Sequence, residues 1–146
     1  MLKIGMIGSS DGNGHPYSFS AIFNGYDEEG MSESGWHNIH TYLKMRDKSD
    51  FGISGATVTH IWSQNANESL KIAKASKIEC IVENYLDMIP YIDAVIIGRD
   101  DWTVHKAIAS SFLDAGKYVF IDKPLSFDGD ELNYFEPFLK NARLIS

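Results

Sequence analysis

Sorted into apolar and polar positions, the chain breaks into short, nearly unbroken apolar runs separated by stretches with helical spacing. The runs are Leu2–Ile7, Ala56–Trp62, Ala94–Ile97 and Tyr118–Ile121, with a weaker one at Ile78–Val82. Strands covered on both faces are apolar almost throughout, as in a parallel sheet, whereas half-exposed strands alternate. Between the runs, Thr103–Ala115 puts Val104, Ala107, Ile108, Ser111, Phe112 and Ala115 on one stripe, with Asp101 placed as N-cap and Gly116 as the stop. A helix over about Asn67–Ser76 turns Leu70 and Ala73 inward and Lys71, Lys74 and Lys77 outward. Another begins near Asp128 and buries Leu132 and Phe135, and Pro137 is expected to kink or end it. Alternation at this pitch predicts right-handed βαβ units. The expected fold is α/β: a doubly wound, mostly parallel Rossmann sheet forming one domain over residues 1–146.

One stretch exceeds the minimal pattern. About thirty residues separate the first helix, about Pro16–Asn24, from the second strand, where a short loop is usual. Gly25–Gly35 reads as an acidic loop. Trp36–Arg46 reads as an inserted amphipathic helix with Trp36, Ile39, His40 and Leu43 on one side, near the ligand-binding edge. Arg143–Ser146 has the character of another strand opening, as though a further domain followed.

The length of 146 residues suits a single core, and 44% apolar with 23% charged residues is ordinary globular usage. A net charge of −7, with the densest cluster at Asp27-Glu28-Glu29, argues against nucleic acid as a partner, because such binders carry a basic stripe. No apolar run approaches the ~20 residues of a membrane span. The N-terminus lacks the zones of a signal peptide, so no membrane partner is expected. Cys80 stands alone, which excludes an internal disulfide and suits the cytoplasm; it is expected as a small core residue. Tyr134, Phe135 and Phe138, within Phe127–Phe138, are expected to lie exposed and to favour a homo-oligomer.

The first strand ends at Ile7-Gly8. There follow Ser9, Ser10, Asp11, Gly12, Asn13, Gly14 and His15, with a helix opening at Pro16, a residue favoured in the first turn. Strand, glycine-rich turn and helix N-terminus are what a pyrophosphate cradle requires: close backbone approach, free N–H groups and a favourable dipole. The spacing is not G-x-G-x-x-G, since Gly12 and Gly14 come late. The second strand ends Ile61-Trp62-Ser63-Gln64-Asn65, without the carboxylate that usually holds the adenine ribose. Ser63 and Gln64 are the candidates for that role, and the choice between NAD and NADP stays open.

The later strands carry the most specific pattern. Asp93-Ala94-Val95-Ile96-Ile97 is followed by His105, then by Ala115-Gly116-Lys117-Tyr118-Val119-Phe120-Ile121-Asp122-Lys123-Pro124-Leu125. This resembles the Gfo/Idh/MocA family of sugar and polyol oxidoreductases, whose cofactor domain reads "DAV…H…AGKHV…EKP" in this order. The resemblance runs from Ile4-Gly5-Met6-Ile7-Gly8 to the last helix and is strongest over Asp93–Leu125. It implies a catalytic Lys123 beside nicotinamide and substrate, with Asp122 in place of the family's glutamate orienting the ammonium. It also implies that Pro124 fixes the backbone, often through a cis peptide. A lysine there can hydrogen-bond the reacting hydroxyl and stabilise charge on its oxygen. Where the family has small or proline-containing residues after the fourth strand, this chain has Arg99-Asp100-Asp101-Trp102. Arg99, Asp100 and Trp102 either line the site, Trp102 on a ring and Arg99 on phosphate, or form a solvated turn. The family's carboxy-terminal α/β domain, with most substrate contacts and usually a relay histidine, is absent from these residues.

Of the histidines, His15 stands at the glycine loop, within reach of phosphate, nicotinamide or substrate. His105 matches a family position and is expected to brace the cofactor loop. His60 reads as a hydrogen-bonded strand residue. His37 and His40 have metal-sharing spacing but no third ligand, so no metal is expected. No nucleophile elbow and no Walker lysine occur. The expected function is hydride transfer between nicotinamide and a sugar, polyol or related hydroxy compound; the alternative is a non-catalytic nucleotide-binding Rossmann module.

Overall fold

A computed structural model describes residues 1–146. It has six strands: β1 (Leu2–Ile7), β2 (Ala56–Trp62), β3 (Cys80–Ile81), β4 (Ala94–Ile97), β5 (Tyr118–Ile121) and β6 (Leu144–Ile145). The helices are α1 (His15–Asn24), α2 (Glu28–Glu33), α3 (His37–Lys44), α4 (Ala66–Ala75), α5 (His105–Asp114) and α6 (Gly129–Lys140). The strands lie in the order β3-β2-β1-β4-β5-β6, and every pair is parallel. This is the doubly wound Rossmann sheet that the apolar runs predict.

Alternation along each strand sends side chains into two cores. Ile4, Met6, Val58 and Ile96 pack with Tyr17 and Ala21 of α1 and Ile72 of α4. Ile7, Val95, Ile97 and Val119 pack with Ile108 and Phe112 of α5, Phe135 of α6, and Met88 of a 3-10 segment over Tyr85–Tyr91.

The insertion is more ordered than an acidic loop plus one helix. Asp27 accepts a hydrogen bond from Gly30 N at 2.7 Å, and Glu28 and Glu29 occupy the first turn of α2. Carboxylates there favour the positive end of the helix, so the acidic run is a capped helix start. Met31 of α2 is fully buried, and Leu43 of α3 likewise, with Trp36, Ile39 and His40 half-buried on the same side. His40 bonds Glu28 at 2.8 Å, while His37 is exposed.

Several helix expectations need correction. In α4 the inward residues are Ser69, Ile72, Ala73 and Ala75, while Leu70 is exposed. Asn65 sets that phase by accepting bonds from the N–H groups of Asn67 and Glu68. Before α5, Trp102–Val104 forms a separate 3-10 turn and Asp101 makes no side-chain cap, its carboxylate being paired with Arg99 instead. Within α5, Ala107 is exposed. Gly116, at φ 73°, does end that helix. Helix α6 continues through Pro137, which is exposed and costs one donor, and Asn141 N closes the end on Pro137 O. Leu132 is exposed, and Phe135 is core. Cys80 is exposed on a two-residue edge strand.

The open apolar surface is also elsewhere than expected. Phe135 is buried and Tyr134 and Phe138 are half-buried, so of Phe127–Phe138 chiefly Phe127 stands out. The larger feature is a groove of about 430 Å³ over the α1 face of β4–β6, lined by Phe19, Tyr118, Phe120 and Ile145 among others. No helix is long and apolar enough to cross a membrane.

Asn24, at the end of α1, ties the layers together. Its Nδ2 donates to Val58 O at 2.8 Å and Ser76 O at 3.1 Å, and its Oδ1 accepts from Val58 N at 2.9 Å. Asn24→Ala leaves these strand and helix groups unpaired, which costs about 1–3 kcal/mol. Urea melts of the two proteins should show that loss with an unchanged m-value.

Candidate functional site

Strands β1 and β4 are neighbours, but their connections leave in opposite directions, which opens a crevice beyond their carboxyl ends. Three loops meet there: Gly8–Gly14 after β1, Gly98–Asp101 after β4, and Asp122–Leu125 after β5.

The glycine loop is held from several sides. Ser9 N donates to Gln64 Oε1 at 3.0 Å, and Gln64 Nε2 donates back to Ser9 O at 2.6 Å. Ser10 Oγ donates to Asp100 Oδ1 at 2.5 Å and accepts from Asp100 N. Asn13 N returns to Ser10 O, closing a turn in which Gly12 takes φ 76°, a conformation that disfavours any side chain. At Gly8 an added Cβ would lie 2.8 Å from Pro16, and at Gly14 it would lie 2.4 Å from Ile39 and 2.8 Å from the Trp36 ring. Gly8 thus lets α1 approach the strand, and Gly14 lets α3 lie on the loop. The N-terminus of α1 offers little to an anion, because Asn13 Oδ1 caps His15 N and Pro16 has no N–H. The N–H groups of Ser10, Asp11, Gly12 and Gly14 do lack partners within the chain.

The expected ribose and phosphate contacts are largely engaged elsewhere. Ser63 is buried, its hydroxyl bonded to Asn65 O and Ser69 Oγ, so it does not reach a ribose. Arg99 is buried rather than turned to phosphate. Its fork grips Asp101 at 2.8 and 2.5 Å, and Nη1 reaches Gln64 at 3.0 Å. Trp102 is half-buried edge-on to Phe127. His105 is fully buried between Arg99 O and Leu125 O, bracing the two loops that flank the crevice. His60 is a strand residue bonded to Thr59 and stacked on Tyr91.

One residue was missed. Glu68 lines a cleft of about 250 Å³ with Ser9, Ser10, Gly12, Gln64 and Asn65, and it accepts from Tyr17 Oη at 2.9 Å. Burial first, and then that carboxylate, push the Tyr17 phenol pKa up. The Asn65-x-x-Glu68 spacing reads as a helix start, which hides the carboxylate's second position beside the loop.

The densest chemistry follows β5. Asp122 is 3% exposed, and its Oδ2 accepts from Asn13 Nδ2 at 2.9 Å and from His15 Nδ1 at 2.5 Å, while Oδ1 accepts from Lys123 N at 2.9 Å. Burial works to raise the carboxyl pKa, but the hydrogen bonds from Asn13 and His15 outweigh it and hold Asp122 below the usual carboxylate value. The carboxylate faces the glycine loop and makes no ion pair with the Lys123 ammonium, contrary to expectation. Lys123 is exposed, and the Lys123–Pro124 peptide is cis.

A family model described as an oxidoreductase family with an NAD-binding Rossmann fold, Gfo/Idh/MocA, matches residues 29–138. The chain belongs to that family. The match takes in the Asp93–Leu125 segment but begins beyond the glycine loop of this Gfo/Idh/MocA domain. Among solved structures, myo-inositol 2-dehydrogenase from Lactobacillus plantarum is 20% identical with a TM-score of 0.63, over 97% of this chain and 33% of that one. Scyllo-inositol dehydrogenase from Lactobacillus casei, with bound NAD(H) and scyllo-inositol, is 22% identical with a TM-score of 0.63, over 99% and 34%. UDP-N-acetylglucosamine 3-dehydrogenase from Acidithiobacillus ferrooxidans is 18% identical with a TM-score of 0.61, over 99% and 35%. The chain therefore spans about a third of the length of these relatives. No curated protein sequence matches it. NAD is the cofactor of the Gfo/Idh/MocA fold, and the four unpartnered N–H groups beside the cleft fit its pyrophosphate.

The Asp122 network has a pH signature. With the folded pKa below the unfolded one, its stabilisation is complete above about pH 4 and is lost as pH falls through the folded value. Asp122→Asn should be less stable than the parent at pH 7, and the gap should narrow in thermal melts taken below about pH 4.

Proposed function

We propose that this domain holds NAD across the carboxyl edge of its sheet and serves an enzyme that transfers a hydride between nicotinamide and a sugar, polyol or related hydroxy compound. The observation that carries this is the segment after β5: an exposed Lys123 at the crevice, next to a buried aspartate tied to the glycine loop. The inositol and UDP-sugar dehydrogenases that share the fold support the substrate class.

The N–H groups of Ser10, Asp11, Gly12 and Gly14 would take the pyrophosphate, as loop amides do in such cradles. Glu68 would accept from the adenine ribose hydroxyls at the far end of the cleft. Pro124 and Trp102 would flank the nicotinamide side, and His105 would hold their loops in register. When bound, the cofactor supplies the hydride acceptor. Lys123 donates a hydrogen bond to the hydroxyl oxygen and stabilises the negative charge that develops on it.

A non-catalytic nucleotide-binding module is the second reading. It is favoured by the Gln64 amide on Ser9 and by Arg99 being spent on Asp101, since both take polar groups away from a ligand. Calorimetric titration with NAD and NADP in both redox states, followed by Lys123→Met, separates the two. The enzyme reading expects binding unaltered by the substitution, a melting temperature within a few degrees, and turnover of an inositol or UDP-sugar reduced by about a hundredfold or more. Binding without turnover of any hydroxy compound favours the module, and no binding at millimolar dinucleotide removes both.

A further inference from the structure

His105 is fully buried at the start of α5, and both of its ring nitrogens meet backbone carbonyl oxygens. Nε2 lies 2.8 Å from Arg99 O, and Nδ1 lies 3.0 Å from Leu125 O. A neutral imidazole has one N–H and one bare lone pair, whereas a carbonyl oxygen only accepts. In either neutral tautomer one nitrogen would therefore face an oxygen, lone pair to lone pair, within hydrogen-bond distance. The imidazolium, with two N–H donors, satisfies both contacts. A buried cation needs a counter-charge. The charged groups on the surrounding elements are Arg99, Asp100 and Asp101 after β4, Asp122 and Lys123 after β5, Lys106 on α5 itself, and Glu131 of α6, which bonds Ser126 beside Leu125. Asp101 supplies the counter-charge. Its carboxyl is held below the usual carboxylate value, first by the hydrogen bond from Arg99, and the His105 charge adds to this against the effect of burial. The positive end of the α5 dipole works against a cation here. Against it stand two charge-assisted bonds, each about twice as strong as a neutral one.

We infer that His105 is a doubly donating imidazolium that clamps the β4 and β5 loops together, so that the crevice keeps its shape only while the ring holds its second proton. It is a positioning residue, acting on a ligand through the loops it joins. One loop carries Arg99, whose Nη1 reaches Gln64 at 3.0 Å, and Gln64 in turn holds Ser9 of the glycine loop. The other carries Lys123, two residues before Leu125. Loss of the proton removes one of the two bonds and leaves a buried carbonyl without its donor, which frees one loop from the other. The consequence for the cofactor rests on the NAD-binding reading: dinucleotide affinity falls as pH rises through the titration of this ring. The Asp122 network works in the opposite sense, since it is lost as pH falls.

The test has a spectroscopic and a binding arm. In the intact protein labelled with ¹⁵N-histidine, the ring signals that vanish in His105→Gln are those of His105. If that variant does not fold, substituting His15, His37, His40 and His60 in turn assigns them by elimination. Near neutral pH both ring nitrogens should appear protonated, each coupled to its own slowly exchanging proton. As pH rises one of them should lose its proton. NADH affinity, followed by fluorescence titration, should weaken along the same curve by about tenfold or more, as loss of one hydrogen bond from a charged donor does. His105→Gln should bind NADH with an affinity that is constant over this range. A single protonated ring nitrogen near neutral pH overturns the inference. So does an NADH affinity that is unchanged when the ring loses its proton. Two ring N–H groups in a protein that binds no dinucleotide at any pH leave the clamp standing and remove the NAD-binding reading.

Discussion

A carboxylate that is 3% exposed and held in its charged form has to be met by donors, and no residue of β5 can supply enough of them to Asp122. They come from Asn13 and His15, which precede it by 109 and 107 residues. The sheet order makes this meeting possible, because β4 alone separates β1 from β5 and the loops after both leave from the same edge. Satisfying that one charge draws the glycine loop toward the end of β5, and with it come the cap on α1 and the orientation of the His15 ring. Lys123, left out of this network, keeps an ammonium free to meet a ligand.

The remaining anchors act in the same sense. Gln64 after β2 and Asp100 after β4 each bond the loop, so three strands position one short segment. The result is a loop held by bonds from within the chain, with the N–H groups of Ser10, Asp11, Gly12 and Gly14 left unused. Preorganised donors of this kind reduce the ordering that binding would otherwise require.

Much of the fold was legible because buried parallel strands write themselves as apolar runs. All five expected strands are present, although β3 shrinks to two residues, and the crossover helices lie where the spacing put them. Helix phase was less legible. Leu70 looks like a core residue, but α4 starts one residue earlier, capped by Asn65, and turns Ser69, Ile72 and Ala73 inward instead. Asp27-Glu28-Glu29 looked like a solvated loop because acidic clusters are usually solvent-facing, yet the same residues start α2. At the site, Lys123, Asp122 and His15 were visible through their positions after a strand or before a helix. Which partner each one takes was not, because pairings across more than a hundred residues leave no local trace. Asp101 could be seen as a helix cap, whereas its actual hold on Arg99 depends on the fold of the β4 loop. Glu68 was hidden by a helix-start pattern that it also satisfies.

The missing side chain at Gly14 has a consequence for how the domain can change. Trp36 and Ile39 rest where a Cβ would stand, so loop and insertion share one packing surface. A substitution on one side alters what is tolerated on the other, and residues in contact do not contribute additively. The glycine loop and the α2–α3 segment are therefore a single mutational unit, and variation in one is constrained by the other.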